Sequence, residues 1–348
     1  MLTNQDFTQE RRHYLGGSDI GVLLGLSSYK TPLDLWLEKT GKVNPHADSL
    51  PLRFGSFAEE FVASEYASQT GSQLHSHPQR ITHPEYPYFA AHIDRFVLGP
   101  AVEKSCHKTS DIPSQPLFDE HGKCLALHLL ECKTTSSFLS HQWGDKGSDQ
   151  IPLPYLCQCA WYLAITQLER IDLAVLLGNS DFRIYTIRRD LELENLLIKK
   201  AADFWVKYVQ ADCPPPLANE NDCQKLFPQS LPLKKRIADP YALQSLLQLH
   251  EVNQQMKVLE SKTSDLKMNL MKLMGDAEIL CYEDNVLLSW KSTKGGTRCD
   301  LKRLEAEHPE LVTQYQIPIS PTRRFVLKDW PFSQEALSSN AQNSLAME

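Results

Sequence analysis

The chain has 348 residues, of which 42% are hydrophobic and 23% are charged, and these proportions are ordinary for a globular protein. No apolar run approaches the roughly 18 residues of a membrane span, and the polar N-terminus lacks the apolar core of a signal peptide, so we expect a cytoplasmic protein. The formal net charge of −7 argues against a protein that is basic overall, and the nine cysteines form no C-x-x-C pair that would indicate a zinc site.

The N-terminal part of the chain alternates short helices with apolar strands. Helices are predicted at 17–25, 31–41, 55–70, 153–167 and 190–210. Strands are predicted at 88–98, 125–133, 171–178 and 182–188. Thr31 fits an N-cap with Pro32 in the first turn, and Gly41 ends that helix. The polar stretch 99–122 is expected to be a long connection between two strands, and connections of this length are often functional.

A break follows the last of these helices. The stretch 212–240 holds six prolines and is predicted to be a linker. One long helix is predicted after it at 241–275, and then a small β-rich unit at 277–327 with a short helix at 300–307. We therefore expect a folded domain at 1–211, the linker at 212–240, a helical and β-rich unit at 241–330, and a disordered tail at 331–348.

The long helix carries apolar residues that step by three and four, as in a coiled-coil seam. They are Leu249, Val252, Met256, Leu259, Leu266, Leu270 and Leu273, with Thr263 in the one gap. The favoured interpretation is a helix packed on its own domain or beside a short antiparallel partner. Self-association or a separate partner helix is the alternative.

The most informative stretch is the predicted strand LALHLLECK. Because side chains alternate along a strand, Glu131 and Lys133 continue the face that begins with Leu125, Leu127 and Leu129. Buried charges are costly unless they are paired or bind a metal. The two residues therefore form either a simple ion pair at the strand end or an E-x-K motif. In that motif the carboxylate holds Mg²⁺ and the ammonium orients or deprotonates a water.

A second carboxylate, Asp94, lies in the predicted strand AAHIDRFVL, 37 residues before Glu131. An aspartate in the middle of a strand is unfavourable by propensity. Asp94 either pairs with its neighbour Arg95 or sits at a bulge, or it joins Glu131 and Lys133 as a D…E-x-K set on adjacent strands. Hard oxygen ligands of this kind suit Mg²⁺ or Mn²⁺ rather than zinc.

Two of the predicted helices carry further polar candidates. Glu59 either approaches such a metal from above the sheet or is an ordinary solvated glutamate. Tyr155, Gln158 and Tyr162 form a stripe at i, i+3 and i+7, which either borders a cleft or edges the core.

In combination these residues resemble the YqaJ viral recombinase family, the group that includes lambda exonuclease, over roughly 11–190. The motifs are R-x6-S at Arg11 and Ser18, G-x3-E at Gly55 and Glu59, the strand that carries Asp94, E-x-K at Glu131 and Lys133, and P-x-x-Y-x-x-Q at Pro152, Tyr155 and Gln158. The chain departs from the family pattern in reading Ile93-Asp94 where the class name has PD, and in its extended C-terminal part. The resemblance implies an α/β (α+β) fold of the PD-(D/E)XK, restriction-endonuclease-like kind. Such a fold has a mixed central sheet flanked by helices, here with a C-terminal helical and β appendage.

The resemblance also implies a metal site. Asp94 and Glu131 would bind Mg²⁺, for which Mn²⁺ can substitute, helped by the backbone carbonyl of Cys132. Glu59 would support the metal, and Lys133 would activate the attacking water.

The remaining implied roles concern the rim of the site and the DNA end. Gln158 would help to shape the site, and Tyr155 would line the cleft. Arg11 and Ser18 would hold a terminal 5′-phosphate, with Arg12 as the alternative arginine. The planar fork of an arginine suits a phosphate.

The implied activity is that of a magnesium-dependent exonuclease. Such an enzyme would degrade one strand of linear double-stranded DNA from 5′ to 3′ and leave 3′ overhangs for phage-type recombination by single-strand annealing. The resemblance further implies a homo-oligomer, in some family members a ring-shaped trimer, and an annealing protein as partner. The setting would be the cytoplasm of a bacterial or phage-infected cell.

Two alternatives stay open. One is a Cas4-like or RecB-like nuclease, or a restriction-type endonuclease, although only Cys157 and Cys159 lie close together and an iron–sulfur cluster usually takes four cysteines. The other is a DNA-end-binding protein without catalysis. A basic set in the C-terminal unit either contacts phosphates or is ordinary solvated charge. Its members are Lys291, Lys294, Arg298, Lys302, Arg303, Arg323 and Arg324.

Overall fold

The computed structural model describes residues 10–43, 49–100, 118, 124, 126–318 and 322–328. The chain divides into two compact units, Met1–Leu226 and Phe227–Glu348. The predicted domain limits remain a prediction, the predicted connection at 99–122 lies mostly outside the described residues, and the predicted tail at 331–348 lies wholly outside them. None of the helices in the described ranges is long and apolar enough to cross a membrane.

The first unit alternates helices and strands. The predicted elements are accompanied by strands at Ser72–His75 and Ile81–Thr82 that the pattern does not predict, and by a helix at Glu220–Leu226 inside the predicted linker. Its helices are α1 Gly17–Leu23, α2 Pro32–Lys39, α3 Leu50–Thr70, α4 Leu153–Thr166, α5 Leu191–Phe204 and α6 Glu220–Leu226. Short 3-10 helices lie at Arg11–His13 and Ser137–Gln142, and a π-helical turn at Trp205–Gln210 extends α5. Its strands are β1 Ser72–His75, β2 Ile81–Thr82, β3 Ala90–Ala91, β4 Arg95–Pro100, β5 His128–Thr135, β6 Arg170–Leu177 and β7 Asp181–Arg188.

Five of these strands form one mixed sheet in the order β1-β4-β5-β6-β7. The pair β5–β6 is parallel and the other pairs are antiparallel. Helix α4 connects the two parallel strands, as a crossover connection must. The predicted fold class, a mixed central sheet flanked by helices, is confirmed.

The two faces of the sheet pack against different helices. On one face Leu129 and Leu173 join the main hydrophobic core, to which α4 contributes the fully buried Trp161. On the other face Leu130 and Ala174 pack with residues of α3 in a smaller cluster. Because side chains alternate along β5, Glu131 lies on the same face as Leu129, which is the face that packs against α4.

Local sequence accounts for the start of α2. The Thr31 hydroxyl accepts a hydrogen bond from the Asp34 amide at 3.3 Å, and the Asp34 carboxylate accepts one from the Thr31 amide at 3.0 Å. Pro32 occupies the first turn, and Gly41 follows the helix with a φ of +71°. A cap of this kind contributes about 1 kcal/mol.

Two predictions about strands are wrong in detail. The predicted strand at 88–98 is interrupted, because β3 ends at Ala91 and β4 begins at Arg95, so Asp94 lies in a bend between them. Leu127 precedes β5 and is 60% exposed, so it does not share the buried face of Leu129. In both cases the run of apolar residues is longer than the segment that pairs with a neighbouring strand.

The second unit contains a helix of 35 residues, α7 Pro240–Met274, which Asp239 caps through the Ala242 amide. The hairpin β8 Ile279–Tyr282 and β9 Asn285–Ser289 follows, and then α8 Leu301–Glu307 and α9 Pro309–Gln314. Most of the predicted seam of α7 is exposed, so among the described residues neither its own domain nor an antiparallel partner helix covers it. The whole basic set of this unit is exposed.

Candidate functional site

Glu131 is a carboxylate buried on β5, with 2% of the residue exposed. Its Oε1 accepts a hydrogen bond from Gln158 Nε2 at 2.7 Å and pairs with Lys133 Nζ. Its Oε2 is also buried and has no hydrogen-bond partner among the described residues. An anionic oxygen buried without a donor costs free energy, which a cation beside it would offset.

Asp94 reaches the same place from the neighbouring bend. The pairing of β4 with β5 stops at Arg95 and Leu130, and Asp94 Oδ2 accepts the Cys132 amide at 2.8 Å in place of the next ladder bond. In a strand the carbonyl of a residue points to the same edge as its amide. The Cys132 carbonyl therefore faces the edge where Asp94 lies, as its predicted role requires.

The charges of this cluster are unbalanced. Burial raises the pKa of Asp94 well above its usual range, and the nearby Glu131 carboxylate raises it further. Burial lowers the pKa of Lys133, but Glu131 and Asp94 outweigh that effect and the pKa is raised overall. Lys133 is thus an ammonium at neutral pH and also lies 5.4 Å from the centre of the Tyr155 ring. One ammonium faces two carboxylates.

The structure pairs Glu59 with Arg95 rather than with the other carboxylates. Helix α3 packs on the sheet face opposite Glu131, and Glu59 accepts a hydrogen bond from Arg95 Nη1 at 2.7 Å. The other arm of Arg95 binds Glu60 at 2.6 Å. Within the described ranges no group of three or more histidine, cysteine, aspartate or glutamate side chains is placed to hold a metal.

The remaining donors still fit a hard divalent cation. Two carboxylates that repel each other, an unpartnered Glu131 oxygen and the Cys132 carbonyl edge are all oxygen donors, which is the set that Mg²⁺ or Mn²⁺ takes. Because Mg²⁺ commonly keeps several of its waters, two protein carboxylates are sufficient for a site.

Gln158 and Tyr155 lie where α4 meets this cluster. Gln158 Nε2 bridges Glu131 and the Tyr162 hydroxyl, the latter at 2.8 Å. The Tyr155 ring stacks on Trp143, with ring centres 5.6 Å apart. The predicted stripe on α4 therefore borders the site.

The two residues predicted to bind phosphate contact each other. Arg11 Nη2 donates to Ser18 Oγ at 2.9 Å and to Asp19 Oδ1 at 3.1 Å. Arg12, the alternative arginine, instead lies against Gly41, where an added Cβ would meet its Nη1 at 3.4 Å. The geometry thus selects Arg11 as the partner of Ser18.

Gly17 joins the Arg11–Ser18 pair to the carboxylate cluster. A Cβ built on Gly17 would lie 2.5 Å from Tyr162 Cε1 and 3.0 Å from Gln158 Cγ. The absence of a side chain at Gly17 lets the start of α1 approach the two α4 residues that border Glu131.

Sequence reasoning missed three residues of this region. Arg95 was considered only as a partner of Asp94, but it holds Glu59 and Glu60. Lys39 and Asp19 form a buried ion pair beneath Arg11, at 2.7 Å. The sequence did contain one indication of this pair. Lys39 follows Leu35 and Leu37 at the end of an amphipathic helix, where a buried lysine needs a charged partner.

Comparisons with known proteins show what the chain resembles in sequence. The sequence profile of the YqaJ-like viral recombinase domain matches residues 6–169. The uncharacterized protein YqaJ of Bacillus subtilis (strain 168) is 28% identical over 341 residues, which are 94% of this chain and 95% of that protein.

The solved structures that align with part of the chain share little sequence with it. LHK-Exo in complex with dAMP is 15% identical with a TM-score of 0.44, over 60% of this chain and 94% of that one. A phage-related exonuclease from Haemophilus somnus 129PT is 12% identical with a TM-score of 0.40, over 57% and 95%. Over residues 6–169, the chain is therefore similar to the YqaJ-like viral recombinase domain family.

Proposed function

We propose that the protein is a nuclease that requires a divalent metal and degrades linear double-stranded DNA from its 5′ ends. The observation that carries the proposal is the convergence of the half-buried Asp94 and the buried Glu131 beside Lys133, with Glu131 Oε2 unpartnered among the described residues. Two repelling carboxylates are retained in a buried place when a cation joins them. The similarity of residues 6–169 to the YqaJ-like viral recombinase domain also supports a nuclease.

Bound Mg²⁺, or Mn²⁺ in its place, would supply Lewis acidity to the scissile phosphate and lower the pKa of a water. Asp94, Glu131 and the Cys132 carbonyl would hold it. Because Glu59 is engaged by Arg95, its support of the metal is a proposal that requires this ion pair to open.

The chain's own residues would position the reacting groups. Gln158 fixes the orientation of the Glu131 carboxylate through the hydrogen bond to Oε1. Lys133, held as an ammonium by its neighbours, would orient the attacking water and stabilise charge on the phosphate, which is worth several kilocalories per mole in a site of low dielectric. Tyr155 lies under the Lys133 ammonium and would line the cleft.

The proposal of 5′ polarity depends on Arg11 and Ser18. An arginine that already donates to a serine hydroxyl presents further N–H groups to a phosphate with little reordering. Gly17 keeps this pair close to Gln158, next to the carboxylate cluster. A terminal 5′-phosphate held there would set the strand that is cut.

Two further parts of the proposal come from family resemblance. They are a homo-oligomer, such as a ring-shaped trimer that encloses DNA, and a single-strand annealing protein that takes up the 3′ overhang. The product would then enter phage-type recombination.

The test uses linear duplex DNA with a 5′-phosphate on one strand only, incubated with Mg²⁺, beside closed circular DNA. Wild type is expected to remove the phosphorylated strand and to spare circles. Glu131→Gln and Lys133→Met are expected to be inactive. Glu60→Gln, which changes an exposed carboxylate next to Glu59, is the matched control and keeps wild-type activity.

The same experiment separates the alternatives. Cleavage of closed circles would indicate an endonuclease of the same superfamily. Binding of DNA ends without cleavage in any divalent metal would indicate an end-binding protein, and the roles given to Asp94, Glu131 and Lys133 would then be withdrawn.

A further inference from the structure

Lys39, at the end of α2, is a lysine buried with 3% of its side chain exposed. Its ammonium donates to the Arg11 carbonyl at 2.8 Å, to the Tyr14 carbonyl at 2.6 Å and to Asp19 Oδ2 at 2.7 Å. These three acceptors use all three of its protons. All of them lie between Arg11 and the first turn of α1.

Asp19 is the second member of this buried pair. Besides Lys39, it accepts the Gly16 amide at 3.0 Å and Arg11 Nη2 at 3.1 Å. Burial raises the pKa of Asp19, but Lys39 and Arg11 outweigh that effect and lower the pKa to about 2. Asp19 therefore stays charged at any pH at which the protein would work.

The pair fixes both halves of the Arg11–Ser18 contact. Lys39 holds the backbone of Arg11, and Asp19 holds its guanidinium. Ser18 immediately precedes Asp19, so the bond from the Gly16 amide to Asp19 also sets the turn from which the Ser18 hydroxyl points. The remaining face of Arg11 is partly exposed, with 37% of the side chain accessible.

Resting on the proposed function, we propose that Lys39 and Asp19 are positioning residues that hold Arg11 and Ser18 in place to receive a terminal phosphomonoester. An arginine left free would lose rotamer freedom when it binds phosphate, whereas one that is already fixed does not. The pair would act on the preference for phosphorylated ends and not on the chemistry at Glu131.

The test compares duplexes that differ only in a 5′-phosphate or a 5′-hydroxyl. The ratio of the two kcat/KM values is measured for wild type, Arg11→Ala, Asp19→Asn and Lys39→Met. We expect the ratio to fall about tenfold in Asp19→Asn and in Lys39→Met, toward that of Arg11→Ala. Lys225→Met, which removes the partly exposed Lys225–Asp34 pair at the start of α2, is the control and keeps the wild-type ratio.

A merely structural role would lower activity on both ends equally and leave the ratio unchanged, and that result would overturn the inference. Asp19→Asn preserves shape, so it keeps the test open if Lys39→Met does not fold. In the Glu131→Gln background, the affinities for the two ends give the same ratio by fluorescence anisotropy without cleavage. No cleavage by wild type combined with a retained affinity ratio would defeat the proposed function alone, whereas equal affinities in wild type would defeat this inference.

A second inference comes independently from α7. In heptad terms Met256, Thr263 and Leu270 occupy a positions, and Leu259, Leu266 and Leu273 occupy d positions. The three d leucines are 60%, 65% and 72% exposed. Within the described residues nothing covers this seam.

Charges beside the seam distinguish the ways in which a second copy could cover it. In a parallel pair, Lys262 at g would face Lys267 of the other copy at e, which is repulsive. In an antiparallel pair that places Thr263 opposite Leu266, Glu260 would face Lys267 of the other copy, and the contact would occur twice by symmetry. A shift of one heptad would bring Glu260 opposite Glu260 and Lys262 opposite Lys262.

We infer that α7 associates with α7 of a second copy in an antiparallel pair centred on Thr263 and Leu266. Such a pair would align six layers of seam residues between Met256 and Leu273. It would join two copies whether or not the nuclease units also assemble.

The test follows the mass of the full-length protein against concentration by light scattering. Leu259→Asn with Leu266→Asn is expected to halve the mass, while Val258→Asn, an equally exposed residue off the seam, leaves the mass unchanged. Lys267→Glu is expected to weaken the association about tenfold, and Glu260→Lys combined with Lys267→Glu to restore it. Stronger association in Lys267→Glu would indicate a parallel pair, and an unchanged mass in the seam variant would indicate that α7 does not associate; either result overturns the inference.

Discussion

Glu131 and Asp172 are buried carboxylates on adjacent strands of one sheet, yet their surroundings differ. Asp172 is 1% exposed on the α3 face, where it accepts hydrogen bonds from Tyr66, Arg170 and Thr186 and lies 3.3 Å from His128. Burial raises the pKa of Asp172, but these partners outweigh it and the pKa is lowered. Both oxygens of Asp172 are satisfied.

Glu131, on the α4 face, has a different balance. One of its oxygens has two donors and the other has none among the described residues, while burial and Glu131 raise the pKa of the nearby Asp94 carboxyl. A carboxylate that serves the fold is surrounded by donors, because each unmet oxygen lowers stability. A carboxylate kept short of donors beside another is available to a ligand. The contrast is the one expected between a carboxylate that stabilises the fold and a carboxylate that binds a ligand.

The largest expected effect is on activity. Glu131→Gln is expected to lower the rate of DNA cleavage about a thousandfold or more, because the variant loses a charge that holds the metal. Its free energy of unfolding should change by less than about 1 kcal/mol, because the lost Lys133 pair is offset by relief of the repulsion with Asp94. Cleavage assays and urea unfolding measure the two effects, and a Glu131→Gln enzyme as active as wild type would end the assignment.

The opposite result is expected for Asp172→Ala. Removal of this carboxylate leaves the Arg170 and Tyr66 donors without their buried acceptor, so the free energy of unfolding should fall by about 3–5 kcal/mol. Cleavage per folded molecule, measured well below the unfolding temperature, should stay within a few-fold of wild type. If Asp172→Ala proved no less stable than Glu131→Gln, the distinction between the two carboxylates would not hold.

Mg²⁺ should stabilise the folded protein through Glu131 and not through Asp172. At a Mg²⁺ concentration about a hundred times the dissociation constant, wild type should gain about 2.7 kcal/mol in its free energy of unfolding. Glu131→Gln should show no such gain, and Asp172→Ala should show the full gain from its lower starting stability. Urea unfolding with Mg²⁺ or EDTA gives these values, and equal gains in wild type and Glu131→Gln would place the metal elsewhere.

The smallest expected effect concerns pH. Asp19 is a satisfied carboxylate like Asp172, and its pKa of about 2 lies below the ordinary 3.8. A lowered carboxylate pKa stabilises the fold above the unfolded pKa, so this contribution is complete above pH 4 and is lost as the pH falls toward 2. The difference amounts to about 2 kcal/mol. The difference in unfolding free energy between wild type and Asp19→Asn should therefore become smaller as the pH falls from 5 to 2.5. Urea unfolding at each pH measures this difference, and a constant value would contradict the lowered pKa of Asp19.

Local patterns predicted most of the elements and part of the site. The capped start of α2, the position of α4 and the paired strands β6 and β7 follow from nearby residues, because caps, turns and periodicity act over a few positions. The E-x-K spacing placed Glu131 and Lys133 together for the same reason. The prediction of a continuous strand through Asp94 was wrong, because the local sequence does not show where β4 stops pairing with β5.

The amino-acid sequence by itself determined most of the helices and strands but not β1, β2 or α6. It also determined that Glu131 and Lys133 share one face of β5, and it supplied the motifs that resemble the recombinase family. Only the tertiary structure decided which charges are satisfied. It brings Lys39 to Asp19 across 20 positions, Arg95 to Glu59 across 36 and Tyr66 to Asp172 across 106. Hydrogen bonds and ion pairs act over a few ångströms of space irrespective of chain separation. Thus the sequence shows which residues are carboxylates, whereas packing determines which of them have an oxygen without a hydrogen-bond donor.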